Sequence, residues 1–365
     1  MGDRQCPMEA VGLSPDFWQG RRVFVTGHTG FKGGWLTLWL QQLGAEVAAY
    51  SLAPPTQPSL FDVARVATGI TSQHGDIRDY DALATALGRS GASLAFHLAA
   101  QSTVADGYRF PRDTFATNLT GTLNLLDAIR ACPTMRAVVV VTSDKCYAPS
   151  PDGTPLREGD PLGGRDPYSA SKSCAEIAAA SWRDSFFSAD DRVRIATARA
   201  GNVIGGGDWA AHRLLPDMVR AFAAGKALSL RMPDAVRPWQ HVLDALHGYL
   251  LLGERLAGPE GARFNGGWNF GPDDADHQTV ADLARRAASL WGDGASCVSA
   301  ADNFQKETMA LRLDATRARQ ELGWRPRWSL DQALERTMAW YRAWLRSEDM
   351  RAASLAQLDA FTAAA

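Results

Sequence analysis

The chain has 365 residues, 46% hydrophobic and 21% charged, an ordinary globular balance in more length than one simple core requires, so two lobes are expected. Lysine plus arginine number 38 and aspartate plus glutamate 40, and the resulting net charge of −2 offers no bulk attraction to nucleic acid or to an anionic membrane. Five widely spaced cysteines without a CxxC pair argue against a disulfide framework or a metal site; with no signal-like start and no spanning apolar run, a soluble cytoplasmic protein is expected.

Residues 22–26 read as a first strand and 31–43 as an amphipathic helix. Further strands are expected at 46–50, 70–74, 94–98, 137–142 and 194–199, with helical patterns between them at 80–89, 112–131 and 168–187. Buried apolar strands alternating with helices predict an α/β fold: a doubly wound parallel sheet covered on both faces. After residue 199 the texture changes to glycine-rich and loop-like stretches, 264–274 among them, followed by short helices of which 283–291 and 330–345 are clearest. The domain reading is therefore a dinucleotide-binding domain over 17–200, with 240–262 returning to it, and a smaller mixed α/β substrate domain from 201–239 and 263–346. The alanine-rich tail, 347–365, reads as an exposed helix or a frayed end.

The stretch "FVTGHTGFKGGWL" carries Gly27, Gly30 and Gly33 where the first strand turns into a helix. The first glycine allows a tight turn, the second lets the backbone approach a pyrophosphate, and the third lets helix and strand pack closely. The N–H groups that open the helix then face the anion. Farther on, "YSASK" places Tyr168 and Lys172 four apart, on one face of a helix. A phenol is a poor base at neutral pH, but a neighbouring ammonium favours its phenolate, which can then take a hydroxyl proton.

The GxxGxxG spacing, followed in order by "GDIRD", "HLAAQ", "TNLTGT" and "YSASK", resembles the extended short-chain dehydrogenase/reductase superfamily. With "TSDKCY", "RAGNVIGGGDW" and "RPWQHVLDAL", residues 17–345 are similar to the CDP-glucose 4,6-dehydratase family. The resemblance implies a Rossmann sheet and NAD as cofactor. It implies cofactor contacts from Gly27, Gly30, Phe31, Lys32, Gly33, Asp76, Ile77, Leu98, Ala99, Ala100, Asn118, Tyr168 and Lys172. Ser143, Asp144, Lys145, Tyr168 and Lys172 are the implied catalytic group, and Gln101, Ser102, Asn202, Arg220 and Arg237 the implied contacts to a nucleotide sugar.

The family reaction oxidises C4, eliminates water across C5 and C6, and returns the hydride to C6. Asp144 would donate to the departing C6 hydroxyl. Lys145 stands where most such enzymes carry a glutamate, and is either the C5 base or an electrostatic support for the enolate. Two readings compete with this one: a 4-epimerase or a dehydratase for another nucleotide sugar, and a dinucleotide-binding protein without turnover. The second expects a lost Tyr168 or Lys172, and both are present. A homodimer is implied, paired through 112–131 and 168–187 with Ala175, Ala178 and Ala179 on the close-packed face. One feature departs from the usual pattern. The second strand ends "YSLAPPT", with no acid for the adenosine ribose and no arginine for a 2′-phosphate, so NAD is favoured over NADP on family grounds alone.

Overall fold

The structure is a computed structural model describing residues 12–150, 153–187, 192–273, 276–299 and 311–364. Strands β1 (Arg22–Thr26), β2 (Glu46–Ser51), β3 (Thr71–His74), β4 (Leu94–His97), β5 (Ala137–Val141) and β6 (Arg194–Ala200) are joined by a later strand, β10 (Gly266–Phe270). They form one parallel sheet in the order β10-β6-β5-β4-β1-β2-β3. The period-two geometry of a strand divides their side chains between two cores. Val23, Val25, Phe96 and Val139 enter one core, and Phe24, Ala95, Val138 and Val140 the other. Each face is sealed by helices, which is why β5 reads as an unbroken apolar run.

The helices used below are α1 (Phe31–Gln42), α2 (Tyr80–Ser90), α3 (111–130, with a π turn at Ala116–Thr120), α4 (Pro167–Trp182), α5 (Leu214–Ala223), α6 (Val242–Ala257), α7 (Val280–Trp291), α8 (Leu330–Leu345) and α9 (Met350–Ala363). The second lobe contains β7 (Asn202–Ile204), β9 (Val236–His241) and β11 (His277–Thr279) in a three-stranded sheet. It also holds a parallel pair, β8 (Leu228–Leu230) with β12 (Cys297–Ser299). Strand order reverses between β1 and β4, and the crevice beyond their carboxyl ends is where such sheets bind ligands.

Four expectations change. Helix α1 is not amphipathic: residues 33–40 are all buried, because it lies between the sheet and helices α6 and α9. Residues 266–270, expected in a loop of the second lobe, are the edge strand β10 beside β6; position 274 of that stretch lies outside the described residues. The tail is not frayed but forms α9, whose Met350, Leu358 and Phe361 are buried. Ala175, Ala178 and Ala179 are buried inside the subunit, so the outward face of α4 is carried instead by Ile177, which is 58% exposed.

Helix α9 braces α1. The Phe361 ring packs edge-on to Trp39 of α1 at 5.4 Å and to Trp328 at 5.0 Å. Arg351 donates to the Arg65 carbonyl at 2.8 Å and to Gln41 Oε1 at 2.8 Å. Truncating a fully buried aromatic leaves a cavity as well as losing its transfer energy. Phe361→Ala is therefore expected to lower unfolding stability by about 3–5 kcal/mol in urea melts; a loss under about 1 kcal/mol would mean that α9 is not part of the cooperative core.

Candidate active site

The glycine turn makes two demands of its own and leaves one to a ligand. Gly27 has φ +83°, and a Cβ there would lie 2.6 Å from the Ala99 nitrogen. A Cβ on Gly33 would lie 2.0 Å from the Gly27 carbonyl oxygen. At Gly30 an added Cβ would meet only that oxygen, at 3.4 Å, so the protein itself tolerates a side chain there. The space above Gly30 and the N–H groups that open α1 suit a pyrophosphate laid against the turn. Leu98, Ala99 and Ala100 follow β4 and are partly open, forming a floor of small side chains beside it. The residues present thus fit a dinucleotide. Phe31 opens α1 and packs toward Gly205 of the second lobe.

Two of the adenosine-side positions are already engaged. Asp76 holds Arg78 with both carboxylate oxygens, Oδ1 accepting from Nε at 3.1 Å and Oδ2 from Nε at 2.9 Å and from Nη2 at 2.6 Å, and these bonds keep its carboxyl below the usual range. Ile77 is buried against Gly121 of α3. The Ser51 hydroxyl at the end of β2 shares a 2.8 Å hydrogen bond with Thr29.

Asn118, in the π turn, works on the scaffold. It accepts from the Gln101 N–H at 2.8 Å and donates to the Gln101 carbonyl at 3.0 Å and to Ser171 at 2.9 Å. It therefore ties the loop after β4 to helix α4, which carries Tyr168 and Lys172. Asp166 caps that helix, accepting from the Ser169 N–H at 3.0 Å.

Strand β5 delivers the second half of the site. Ser143 donates to Asp144 Oδ1 at 2.9 Å and accepts from the Lys145 N–H at 3.2 Å. It also lies beside the Tyr168 phenol. Burial pushes Tyr168 up to about 12, opposed by the neighbouring Ser143 hydroxyl and by the charge of Arg213. Burial likewise raises Asp144, against the opposing charges of Lys145, Arg237 and Lys32. Asp144 Oδ2 is buried without a hydrogen-bond partner and lies where a Cβ on Gly201 would stand at 3.1 Å. A carboxyl in that setting keeps its proton to higher pH than an exposed one, which suits an acid. Lys172 donates to the Val141 carbonyl at 3.2 Å and is drawn down to about 8 by burial. Lys145 is half-buried.

The expected substrate contacts divide. Arg237, buried on β9, and Asn202, at the start of β7, lie on adjacent strands, with Gly201 over Asp144. Gln101 leaves Oε1 buried without a partner, while its amide nitrogen donates to the Thr103 carbonyl at 2.9 Å. Arg220 does not reach this group: its guanidinium is taken by Asp217 and by the Trp209 carbonyl at 3.0 Å. Two turns earlier, Arg213 precedes α5 and donates to Ser102 Oγ at 2.9 Å while pairing with Asp208 at 3.0 Å. Its charge acts on both Tyr168 and Lys32. Arg213 was hidden in sequence because the same segment offers two arginines and only the helix start faces the crevice. Lys32 points toward α6, 3.4 Å from the Tyr249 hydroxyl, and burial draws it down to about 8, with Asp144 opposing.

The likenesses to known proteins agree with this geometry. Residues 23–267 match the profile of the NAD dependent epimerase/dehydratase family. The CDP-glucose 4,6-dehydratase of Salmonella typhimurium is 45% identical over 356 residues, spanning 96% of this chain and 99% of that protein. A UDP-glucose 4-epimerase from Stenotrophomonas maltophila, solved with NAD and a formylated UDP-arabinopyranose, superposes with a TM-score of 0.79 at 23% identity, over 90% of this chain and 99% of that one. A dTDP-glucose 4,6-dehydratase double mutant from Streptomyces venezuelae, solved with NAD, superposes with a TM-score of 0.74 at 25% identity over the same shares. With its glycine turn, its tyrosine–lysine helix and its doubly wound sheet, the chain belongs to the NAD dependent epimerase/dehydratase family.

Proposed function

We propose that this chain converts CDP-glucose to CDP-4-keto-6-deoxyglucose, as a hydro-lyase. The observation that carries this reading is Asp144: a buried carboxyl with one unpartnered oxygen, set beside Ser143 and Tyr168. Epimerisation at C4 needs no proton donor at that place; elimination at C6 does. The near full-length likeness to the Salmonella enzyme supports the cytidine substrate.

Bound NAD would supply a place to hold the C4 hydride until it is returned at C6. Gly27, Gly30, Gly33 and the start of α1 would hold its phosphates, with Lys32 close by. Tyr168 takes the C4 hydroxyl proton, helped by the ammonium of Lys172, while Ser143 orients the same oxygen. The ketone so formed acidifies the C5 proton. Asp144 then gives its proton to the departing C6 hydroxyl, and water leaves. The C5 proton passes either to Lys145, one residue on, or to another base while the Lys145 charge stands opposite the enolate. Arg213 and Arg237 offer guanidinium forks for the diphosphate. Incubation with a panel of nucleotide glucoses tests the reading: the 4-keto product should form from the cytidine sugar, with C4 deuterium recovered at C6.

Tyr168→Phe and Lys172→Ala are each expected to lower turnover by about 10²–10⁴-fold, the usual worth of an acid–base group. Asp144→Asn should block elimination while leaving the first oxidation visible as accumulated NADH absorbance. Wild-type elimination in that variant would remove Asp144 from the mechanism.

Cofactor retention is expected to be weak. No carboxylate ends β2, Asp76 is occupied by Arg78, and Ser51 by Thr29. Losing a pair of charge-assisted hydrogen bonds, each about 1.5–3 kcal/mol, costs on the order of a hundredfold in affinity. Added NAD should therefore raise the activity of the purified protein, and NADP should be tolerated. Full NAD occupancy on purification would contradict this.

A homodimer in the cytoplasm completes the reading. Tyr108, Phe110, Ile177 and Phe186 are between 43 and 58% exposed on or beside α3 and α4, an apolar face suited to a second copy. Sedimentation should show a dimer at micromolar protein; a monomer alone would refute it.

A further inference from the structure

One charge pair lies behind the active site rather than in it. Glu176 of α4 and Arg199 of β6 have side chains only 3% and 6% exposed. They meet in two prongs, Nη2 to Oε2 at 2.6 Å and Nε to Oε1 at 2.9 Å. Glu176 also accepts from Thr197 at 2.6 Å and from Thr142. Arg199 continues through Nη1 to the Tyr147 hydroxyl at 2.7 Å, and Tyr147 donates to Asn269 of β10 at 2.7 Å. A buried ion pair is weak evidence for stability, since desolvation offsets most of its attraction. What it touches is more informative.

Thr142 immediately precedes Ser143 and Asp144, so one Glu176 oxygen holds the end of β5 where the proton donor is presented. Glu176 also lies one helical turn beyond Lys172, on the same face of α4. It is the foremost charge supporting the Lys172 ammonium against burial, which draws that group down to about 8. The other ionisable groups near Lys172 come from each neighbouring element. Cys146, in the turn after β5, is a thiol that burial holds neutral. His97 of β4 is driven neutral by burial. Lys32 of α1 opposes a second cation and has Asp144 near it, while Tyr168 stands one helical turn before Lys172 on α4.

We propose that Glu176 is a positioning residue for the reaction: its carboxylate keeps Lys172 charged for Tyr168 and fixes the end of β5 that presents Ser143 and Asp144. The proposal rests on the catalytic reading of Tyr168 and Lys172 given above.

The test compares Glu176→Gln, the double variant Glu176→Gln/Arg199→Met, and Lys172→Ala with the wild-type full chain, all at saturating NAD. The readout is kcat and KM for CDP-glucose across pH 6–9.5, with melting temperature as the check on folding. Glutamine keeps the shape and removes the charge, its amide oxygen accepting from one threonine and its amide nitrogen donating to the other once that hydroxyl turns; the double variant also removes Arg199, whose N–H groups would face that nitrogen. The lysine is charged below its pKa, so activity that needs it falls as pH rises through that value. Losing the carboxylate lowers the value and moves the alkaline limb to lower pH. The expected result is a limb displaced downward by about one unit in Glu176→Gln and by less in the double variant, where loss of the guanidinium charge offsets part of the change, with kcat above that limb reduced by up to about tenfold and KM within twofold. If the single variant does not fold, the double variant decides. A folded double variant with the wild-type pH profile and kcat would overturn the proposal. So would a double variant that fails to fold, since the pair would then be structural. Lys172→Ala separates this from failure of the underlying reading: wild-type turnover there would sink the reading itself, whereas an inactive Lys172→Ala beside an unshifted double variant would sink only the role of Glu176.

Discussion

The site depends on a backbone-to-backbone approach at the place where the sheet changes direction. Beyond the carboxyl ends of β1 and β4 the two chains diverge, and the turn at Gly27 settles against Leu98 and Ala99 with no room for a side chain between them. That contact sets the height of the crevice floor. Thr26 strengthens it, taking the Ala99 N–H at 3.2 Å and the His97 ring at 2.7 Å. Asn118 then fastens the continuation of the same loop to α4. The glycine turn and the helix that carries Tyr168 are thus held in one frame through the short loop after β4.

Within that frame burial and charge oppose one another. Burial alone would neutralise the lysines and protonate the acid and the phenol, and for Asp144 and Tyr168 it prevails in the free protein. Lys32, Lys172, Arg213 and Arg237 surround them with positive charge. An anionic diphosphate entering this region would compensate that charge, and a cationic nicotinamide beside Tyr168 would favour its phenolate. The protonation states suited to chemistry are therefore properties of the loaded site more than of the empty fold.

Much of this was legible in the sequence because it is encoded locally. The strand–glycine–helix turn, the unbroken valines of β5 and the tyrosine–lysine spacing each declare themselves within a dozen residues, and the six early strands lie within about a residue of their expected bounds. What escaped depends on partners distant in the chain. Helix α1 reads as amphipathic until α6 and α9 cover its second face. Gly266–Phe270 carries two glycines and an asparagine, a poor strand by composition, yet β6 offers it an open edge and Asn269 is satisfied by Tyr147 and the Leu156 carbonyl. The choice between Arg213 and Arg220 turns on which end of α5 faces the crevice, which no local pattern states. The alanines of α4 were assigned to the wrong face because small residues suit packing within a subunit as well as between subunits.

The bracing of α1 by α9 has a consequence for biosynthesis. Helix α1 is made early, yet its outer face is covered by Phe361 and neighbouring residues of α9, which leave the ribosome much later. Chains emerge amino end first, and domains commonly fold in that order. Here the amino-terminal half can form its sheet during translation, but Trp39 stays open to solvent until the carboxyl end arrives. The nascent chain therefore carries an apolar seam, the sort of surface that chaperones hold, directly behind its dinucleotide turn. Emergence of α9 closes that seam, so α1 gains its full support only after the rest of the two lobes has been made.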